Sequence, residues 1–401
     1  MLCRVCDANH FSLAVDLKDQ PWGNHFLSKE EVGKEPYYPL RVIYCHKCKT
    51  AQLDFTVKKE VMFTDHTYLS GVTRSLTEHF NQTAIDVDNR FFKGNQEKTM
   101  LDIGSNDGSQ LACYQNQGFD VLGVESSRRV AQIANEKGLP TVHAFFNLET
   151  AEKIDRTFDV INASGVFFHL EELHSVTEAI KKVLKKDGIF VVQFLYMKSI
   201  MENVAFDQIY HEHLLFYTLR TIDTLLQRHG LELFDAYLSP IHGGSMIAFV
   251  SHKGSKMQTE RLLKLKREEE DSGCNELKAY IQFAKRIEIL KEENLSYLSY
   301  KKSKGKTIYG MGAPVKGNTL LNYFDIGKEL LDCLIEKNEL RKGLFSPGKH
   351  LPILIEKELV SPPDVYYVLA WNFKREILKN NQELIKKGVE FYFPIDPERN
   401  V

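Results

Sequence analysis

Leu101-Asp102-Ile103-Gly104-Ser105-Asn106-Asp107-Gly108 is the stretch on which the reading of this chain turns. A short apolar run, Thr99 to Ile103, enters it, and an apolar-spaced segment, Ser109 to Gly118, leaves it. Strand, glycine turn and helix in that order place a ligand at the carboxyl end of a parallel strand. Gly104 and Gly108 have no Cβ, so backbone can approach a bound group closely. Asp102 and Asp107 bring negative charge where a phosphate loop favours none. The expected ligand is therefore a cationic or zwitterionic nucleoside, not ATP or NAD. On these residues alone, an ordinary strand–helix turn stays open as a reading.

The residues that follow extend the pattern. Asp120-Val121-Leu122-Gly123-Val124-Glu125 reads as a second strand ending in an acid, which can accept hydrogen bonds from two ribose hydroxyls. A helix (Ala131 to Gly138), a third strand (Thr141 to Phe145), a fourth (Phe158 to Ser164) and a fifth (Gly188 to Phe194) come next. This ladder resembles the class I S-adenosylmethionine-dependent methyltransferases. The resemblance implies a cofactor site at Asp102, Gly104, Ser105, Asn106, Asp107, Gly108, Glu125, Ser126, Asn162 and Ala163.

The 401 residues allow two or three domains with ample core, and a formal net charge of −2 argues against nucleic-acid binding by bulk electrostatics. No apolar run approaches membrane-spanning length. Cysteines stand where a signal peptide would have its apolar core, so the expected setting is cytoplasmic with reduced thiols. Cys3-Arg4-Val5-Cys6 and Cys45-His46-Lys47-Cys48 are two CxxC knuckles. Together they offer four thiolates to a tetrahedral zinc ion, and redox disulfides are the rival reading. A filled all-thiolate shell leaves no open position, so the expected zinc is structural.

Three further segments carry chemistry. Tyr68 lies between the zinc module and the glycine loop, either in a packing linker or in a lid that points it at substrate. Phe206-Asp207-Gln208-Ile209-Tyr210-His211-Glu212-His213 packs ionisable groups between apolar residues. A histidine there can serve as a base near neutral pH, with Glu212 orienting it and Tyr210 donating to an oxyanion. A metal pair of His211 and His213, or a buried structural histidine, remains possible on sequence. Ile241-His242-Gly243-Gly244-Ser245 separates two strand-like runs, Leu231 to Leu238 and Met246 to Ser251, that suit antiparallel closing strands. Its glycines suit close approach to a ligand, or simply a tight turn.

Lys256 to Lys304 reads as one or two long charged helices, broken near Asp271-Ser272-Gly273, that connect domains. Strand–glycine–helix then recurs at Thr307 to Leu321, with a second strand from Leu331 to Glu336 and later strands at Val365 to Trp371 and Val389 to Pro394. The glycine spacing departs from the dinucleotide fingerprint, and Lys316 sits in the loop. Lysine with helix-start amides suits a diphosphate, and a solvated lysine on an ordinary turn is the alternative.

Taken whole, the chain resembles the C-methyltransferases that act on nucleotide-linked ketosugars. The shared features are the four-cysteine module, the Ile-Gly-Ser-Asn-Asp-Gly loop, the Tyr-His-Glu-His segment, the His-Gly-Gly-Ser turn, Lys316 to Tyr323, and Asp364 to Asn372. The resemblance implies an α/β fold: a methyltransferase Rossmann-like sheet flanked by a zinc module and a second Rossmann-like domain. The implied divisions are a zinc module (1–65), a methyltransferase domain (66–255), a helical connector (256–304) and a substrate-binding α/β domain (305–401). It also implies His213 as the base, with Tyr210 and Glu212 positioning it. Tyr68, His169, His242, Gly243, Lys316 and Asn318 would face the nucleotide sugar. The implied reaction methylates the carbon beside the ketone, C3 favoured, of a 4-keto-6-deoxy sugar. In the family's Asp-x-Asn-Pro-x-Lys-x-Gly stretch this chain has Glu336, Glu339 and Arg341, which bears on nucleotide choice.

A small-molecule O-methyltransferase and an RNA methyltransferase with a zinc module are the alternatives. Near-zero charge and Asn162-Ala163-Ser164-Gly165 after the fourth strand, in place of an amine-methylation motif, weigh against RNA. A monomer or small homo-oligomer, free of nucleic acid and membrane, is expected.

Overall fold

The computed structural model describes residues 1–63, 70–72, 74–396 and 398. Three sheets organise them. The first is antiparallel: β1 (Phe11–Pro21), β2 (Tyr37–Cys45) and β3 (Ala51–Leu53) pair in that order. Its fourth strand is β9 (Leu215–Phe216), a segment far along the chain. The zinc module therefore completes its sheet with backbone that directly follows the Tyr-His-Glu-His segment.

The central sheet contains β4 (Thr99–Ile103), β5 (Asp120–Glu125), β6 (Thr141–His143), β7 (Phe158–Ser164), β8 (Leu184–Leu195), β10 (Leu231–Ser239) and β11 (Ser245–His252). Its order is β10-β11-β8-β7-β4-β5-β6. The strands from β4 to β8 run parallel, and β11 and β10 close one edge antiparallel. The order reverses beside β4, so the glycine loop opens at the switch point where such sheets bind ligands. The fifth parallel strand begins earlier than the sequence suggests. Leu184 already pairs with Phe158, and Lys185 is held 2.7 Å from Asp159, so this charged end is tied into the sheet.

The connector forms two helices, Glu260–Asp271 and Leu277–Ser303. The last sheet is all parallel, in the order β14-β13-β12-β15-β16. Its strands are β12 (Ile308–Met311), β13 (Cys333–Glu336), β14 (Ile353–Ile355), β15 (Val365–Val368) and β16 (Glu390–Tyr392). One apolar core runs through all three sheets, from Val5 through Phe194 to Tyr367. A second cluster, with Phe80, Tyr114, Phe119 and Phe249, packs helix Arg74–Val87 on the central sheet. No helix among the described residues is long and apolar enough to cross a membrane.

Candidate active site and zinc centre

The four cysteine sulfurs lie within 4.8 Å of one another, with Cys3 to Cys48 at 3.5 Å and Cys6 to Cys45 at 3.6 Å. Zinc with four thiolates at about 2.3 Å needs sulfur separations of about 3.8 Å. The thiols are free, so no disulfide competes. The hydrogen bond from Cys3 pulls the Cys48 pKa down to about 5, while the same bond and burial raise Cys3. The donor set fits a structural zinc ion.

At the glycine loop, positive φ at Gly104 (68°), Asn106 (50°) and Gly108 (79°) reverses the chain after β4. A Cβ on Gly104 would lie 2.6 Å from Val166, and one on Gly108 would lie 2.5 Å from Leu139. Glu125 accepts from the backbone amides of Asn106 (3.0 Å) and Ser127 (2.7 Å), which fixes the carboxylate beside the loop. Ser126 donates to Glu125 at 3.3 Å. Asp102 is buried and accepts from Asn162 Nδ2 at 2.8 Å; burial lifts its pKa to about 7. Asp107 turns toward Ser109 (2.7 Å) and Lys137 (3.1 Å). Burial alone would raise its pKa, but these two partners hold it below the usual value. Ala163 is fully buried in β7. Ser105 Oγ and Asn162 Oδ1 are buried without a partner among the described residues, as expected at a site that takes a polar ligand.

Segment 70–72 lies directly on this loop. Ser70 N–H donates to Asn106 Oδ1 at 2.9 Å, and a Cβ on Gly71 would meet Asp107 at 2.7 Å. Phe63 approaches from the other side, its ring 5.4 Å from His169 and its carbonyl 3.4 Å from Ser126 Oγ. Tyr68 lies outside the described residues.

The Tyr-His-Glu-His segment folds back behind the carboxyl ends of the strands. His213 is 3% exposed, with Tyr210 against its ring (3.8 Å between centroids) and Phe168 edge-on at 4.6 Å. Its Nδ1 lies 2.6 Å from the Gln208 carbonyl. A carbonyl only accepts, so Nδ1 carries the hydrogen and Nε2 keeps its lone pair. Nε2 makes no hydrogen bond among the described residues. Burial drives the His213 pKa well below the ordinary value, His169 adds to this, and the Gln208 bond opposes it. His213 is thus a neutral imidazole that carries its hydrogen on Nδ1.

Glu212 accepts from Trp22 Nε1 at 2.9 Å, and His213 Nδ1 is met by the backbone carbonyl of Gln208. His211 points away, toward the Tyr38 carbonyl at 3.3 Å, so His211 and His213 form no metal pair. His169 donates from Nδ1 to the Glu212 carbonyl, and its ring lies tilted 5.1 Å from that of His213.

His242 stands in a turn at φ 57°, and burial with the nearby Lys316 lowers its pKa to about 4. Gly243 packs on Trp371, where a Cβ would lie 2.6 Å from the ring. Lys316 lies over that same ring at 4.1 Å and 3.6 Å from Asp207. Trp371 Nε1 donates to Asp207 at 2.7 Å. Burial shifts both Lys316 and Asp207 toward their neutral forms. Lys316 is therefore a buried lysine beside Asp207 and Trp371, and not a solvated loop lysine. Asn318 is spent on a contact between domains, donating to the Gly23 carbonyl at 2.7 Å.

Family models match the chain in three blocks. They are a "Putative zinc binding domain" at residues 3–63, a "Methyltransferase domain" at 76–236 and a "C-methyltransferase C-terminal domain" at 240–396. A relative that carries the whole arrangement is C-methyltransferase NovU of Streptomyces niveus, 28% identical over 99% of this chain and 96% of its own. Over its whole length the chain is similar to C-methyltransferases of this kind. An "Uncharacterized methyltransferase" of Alkaliphilus oremlandii is 29% identical over 28% of this chain and 55% of its own. Among solved structures, the CcbJ methyltransferase of Streptomyces caelestis is 14% identical. That match covers 44% of this chain and 90% of that one, with a TM-score of 0.35.

This C-methyltransferase uses S-adenosylmethionine and carries a four-cysteine zinc centre. Sequence reasoning passed over Asp207, Gln208, Trp371 and Trp22. The available signal for Asp207 and Gln208 was an acid and an amide one residue ahead of Tyr210, in a stretch otherwise aromatic and apolar.

Proposed function

We propose that this C-methyltransferase methylates the carbon next to the ketone of a nucleoside-diphosphate 4-keto-6-deoxy sugar, at C3. The observation that carries the reading is the buried His213, with Nδ1–H tied to a carbonyl and Nε2 left free. Such a group is suited to removing a weakly acidic C–H proton and less needed for a hydroxyl that ionises more readily. His213 Nε2 takes the proton from the carbon beside the ketone, and the electron pair moves into an enolate. Bound S-adenosylmethionine supplies an electrophilic methyl group on sulfur, and S-adenosylhomocysteine is the product left behind. His242 and Lys316 face the oxygen-rich part of the substrate, where N–H donors favour negative charge. Tyr210 packs against the base, and His169 and Gly243 line the same cleft. Asn318 supports the cleft through Gly23. In the cofactor site, the Glu125 carboxylate is the acceptor for ribose hydroxyls, beside the Asp102–Asn162 pair. The setting is cytoplasmic, where nucleotide sugars are made.

The test is turnover of S-adenosylmethionine with a panel of nucleoside-diphosphate 4-keto-6-deoxyhexoses, with the product read by NMR. A new methyl on the carbon beside the ketone supports the proposal. A methyl on oxygen, or no transfer across the panel with cofactor bound, contradicts it.

A further inference from the structure

Residue 208 touches the two histidine elements of the cleft at once. Its backbone carbonyl accepts from His213 Nδ1 at 2.6 Å. Its side-chain amide donates to the His242 carbonyl at 3.0 Å. Gln208 is 5% exposed and sits in a short turn, Phe206–Gln208, whose last amide bonds the Ala205 carbonyl at 3.1 Å. The preceding residue, Asp207, is pinned from the C-terminal domain by Trp371 Nε1 at 2.7 Å. The carbonyl that fixes the base is thus held by three anchors, and only one of them is a side chain of its own residue. The His242 turn needs such a tie, because its φ values of 57°, 85° and 122° at residues 242–244 are strained or open to glycine alone.

We infer that Gln208 is the positioning residue of the reaction. Its side chain locks the His-Gly-Gly turn to the backbone that sets the tautomer and aim of His213. The inference rests on the reading of His213 as the base. With the amide bond intact, the base and the His242 turn keep one spacing. With it removed, the two remaining anchors hold the Gln208 carbonyl less firmly, the Nδ1–H bond lengthens, and Nε2 loses its single orientation. Partners that orient a metal-bound imidazole through its other nitrogen are typically worth about 10- to 100-fold in activity, which bounds the effect of loosening this carbonyl.

The experiment compares Gln208→Met, Gln208→Glu and His213→Asn in the full zinc-loaded chain. Methionine keeps the length without a donor, and ionised glutamate keeps the shape without a donor. For both Gln208 variants kcat should fall about 10- to 100-fold. S-adenosylhomocysteine affinity should stay unchanged. In Gln208→Met the acid limb of kcat should move to lower pH, because a weaker Nδ1–H bond stabilises the imidazolium less. Nitrogen NMR of labelled histidine should show a single Nδ1–H tautomer for His213 in the parent and a mixture in the variants. Wild-type kcat and acid limb in either folded Gln208 variant, alongside an inactive His213→Asn, overturns the positioning role. Turnover retained by His213→Asn overturns the reading of the base instead.

Discussion

The two α/β domains use one device, strand, glycine loop, helix and an acid at the end of the next strand, for different ends. In the first, the Asn106 amide bonds Glu125 at 3.0 Å; in the second, the Ala313 amide bonds Glu336 at 3.1 Å. The loops then diverge. Around the first, Ser105 Oγ and Asn162 Oδ1 are buried without partners among the described residues. Around the second, Arg341 pairs with Glu336 at 3.1 Å, donates to the Ala313 carbonyl and lies 4.1 Å from the Phe26 ring. Gly23 presses on the start of helix Val315–Phe324, where a Cβ would sit 3.1 Å from the Val315 carbonyl. Gly23 and Phe26 of the N-terminal module thus pack against the residues of this second loop. The second loop is a joint between domains, and it turns Lys316 into the cleft of the first.

The zinc centre gives the strongest way to break this contrast. Chelation should unfold the four-cysteine knuckles, since a structural zinc ion contributes about 10 kcal/mol or more to small modules. It should also release Gly23 and Phe26 from the second loop and Trp22 from Glu212. Circular dichroism and limited proteolysis with and without chelator would show it; an unchanged fold and activity would separate the zinc module from the joint. Next in size, Glu125→Ala should weaken S-adenosylmethionine binding by about tenfold or more, from lost charge-assisted bonds of about 1.5–3 kcal/mol. Glu336→Ala should leave that affinity unchanged and lower the melting temperature instead. Calorimetry on both variants checks the pair, and equal effects on cofactor affinity would erase the distinction.

Acid should act on the cleft before it acts on the surface. His211 and His242 have pKa values lowered to about 4 by burial, so their contribution to stability is complete above the unfolded value of 6.5. It declines as pH falls from 6.5 toward 4, because the unfolded chain binds the protons first. His211 alone accounts for about 3 kcal/mol over that range. Denaturant titrations at several pH values should show the slope, and His211→Phe should flatten it. The smallest contrast lies in the glycines. Gly104→Ala meets Val166 at 2.6 Å as well as a positive φ, whereas Gly312→Ala, at φ 84°, has its nearest neighbours at 3.5 Å. The second should cost about 1–2 kcal/mol from backbone strain alone, and the first more.

Much of this was legible in the sequence. The parallel ladder announced itself through Gly104, Gly108 and the acid Glu125, because a strand–loop–helix turn has few chemical solutions. The zinc ligands were legible because paired CxxC spacing is local. Strand β14 was not, since three residues after Pro352 carry too little periodicity to read. The partners of the site were hidden for a different reason. Glu212 meets Trp22 across 190 positions, and Lys316 meets Asp207 through a domain joint. Neither contact leaves a pattern in either segment alone. Gln208 was visible as a residue but not as a role, because the atom that orients His213 is backbone.

The most direct measurement is exchange of the proton beside the ketone. A nucleoside-diphosphate 4-keto-6-deoxyhexose is incubated in deuterated water with S-adenosylhomocysteine and either parent protein or His213→Asn. The parent should wash deuterium into that carbon, and the variant should not, while binding S-adenosylhomocysteine equally well. Exchange by His213→Asn at the parent rate would contradict the assignment of the base.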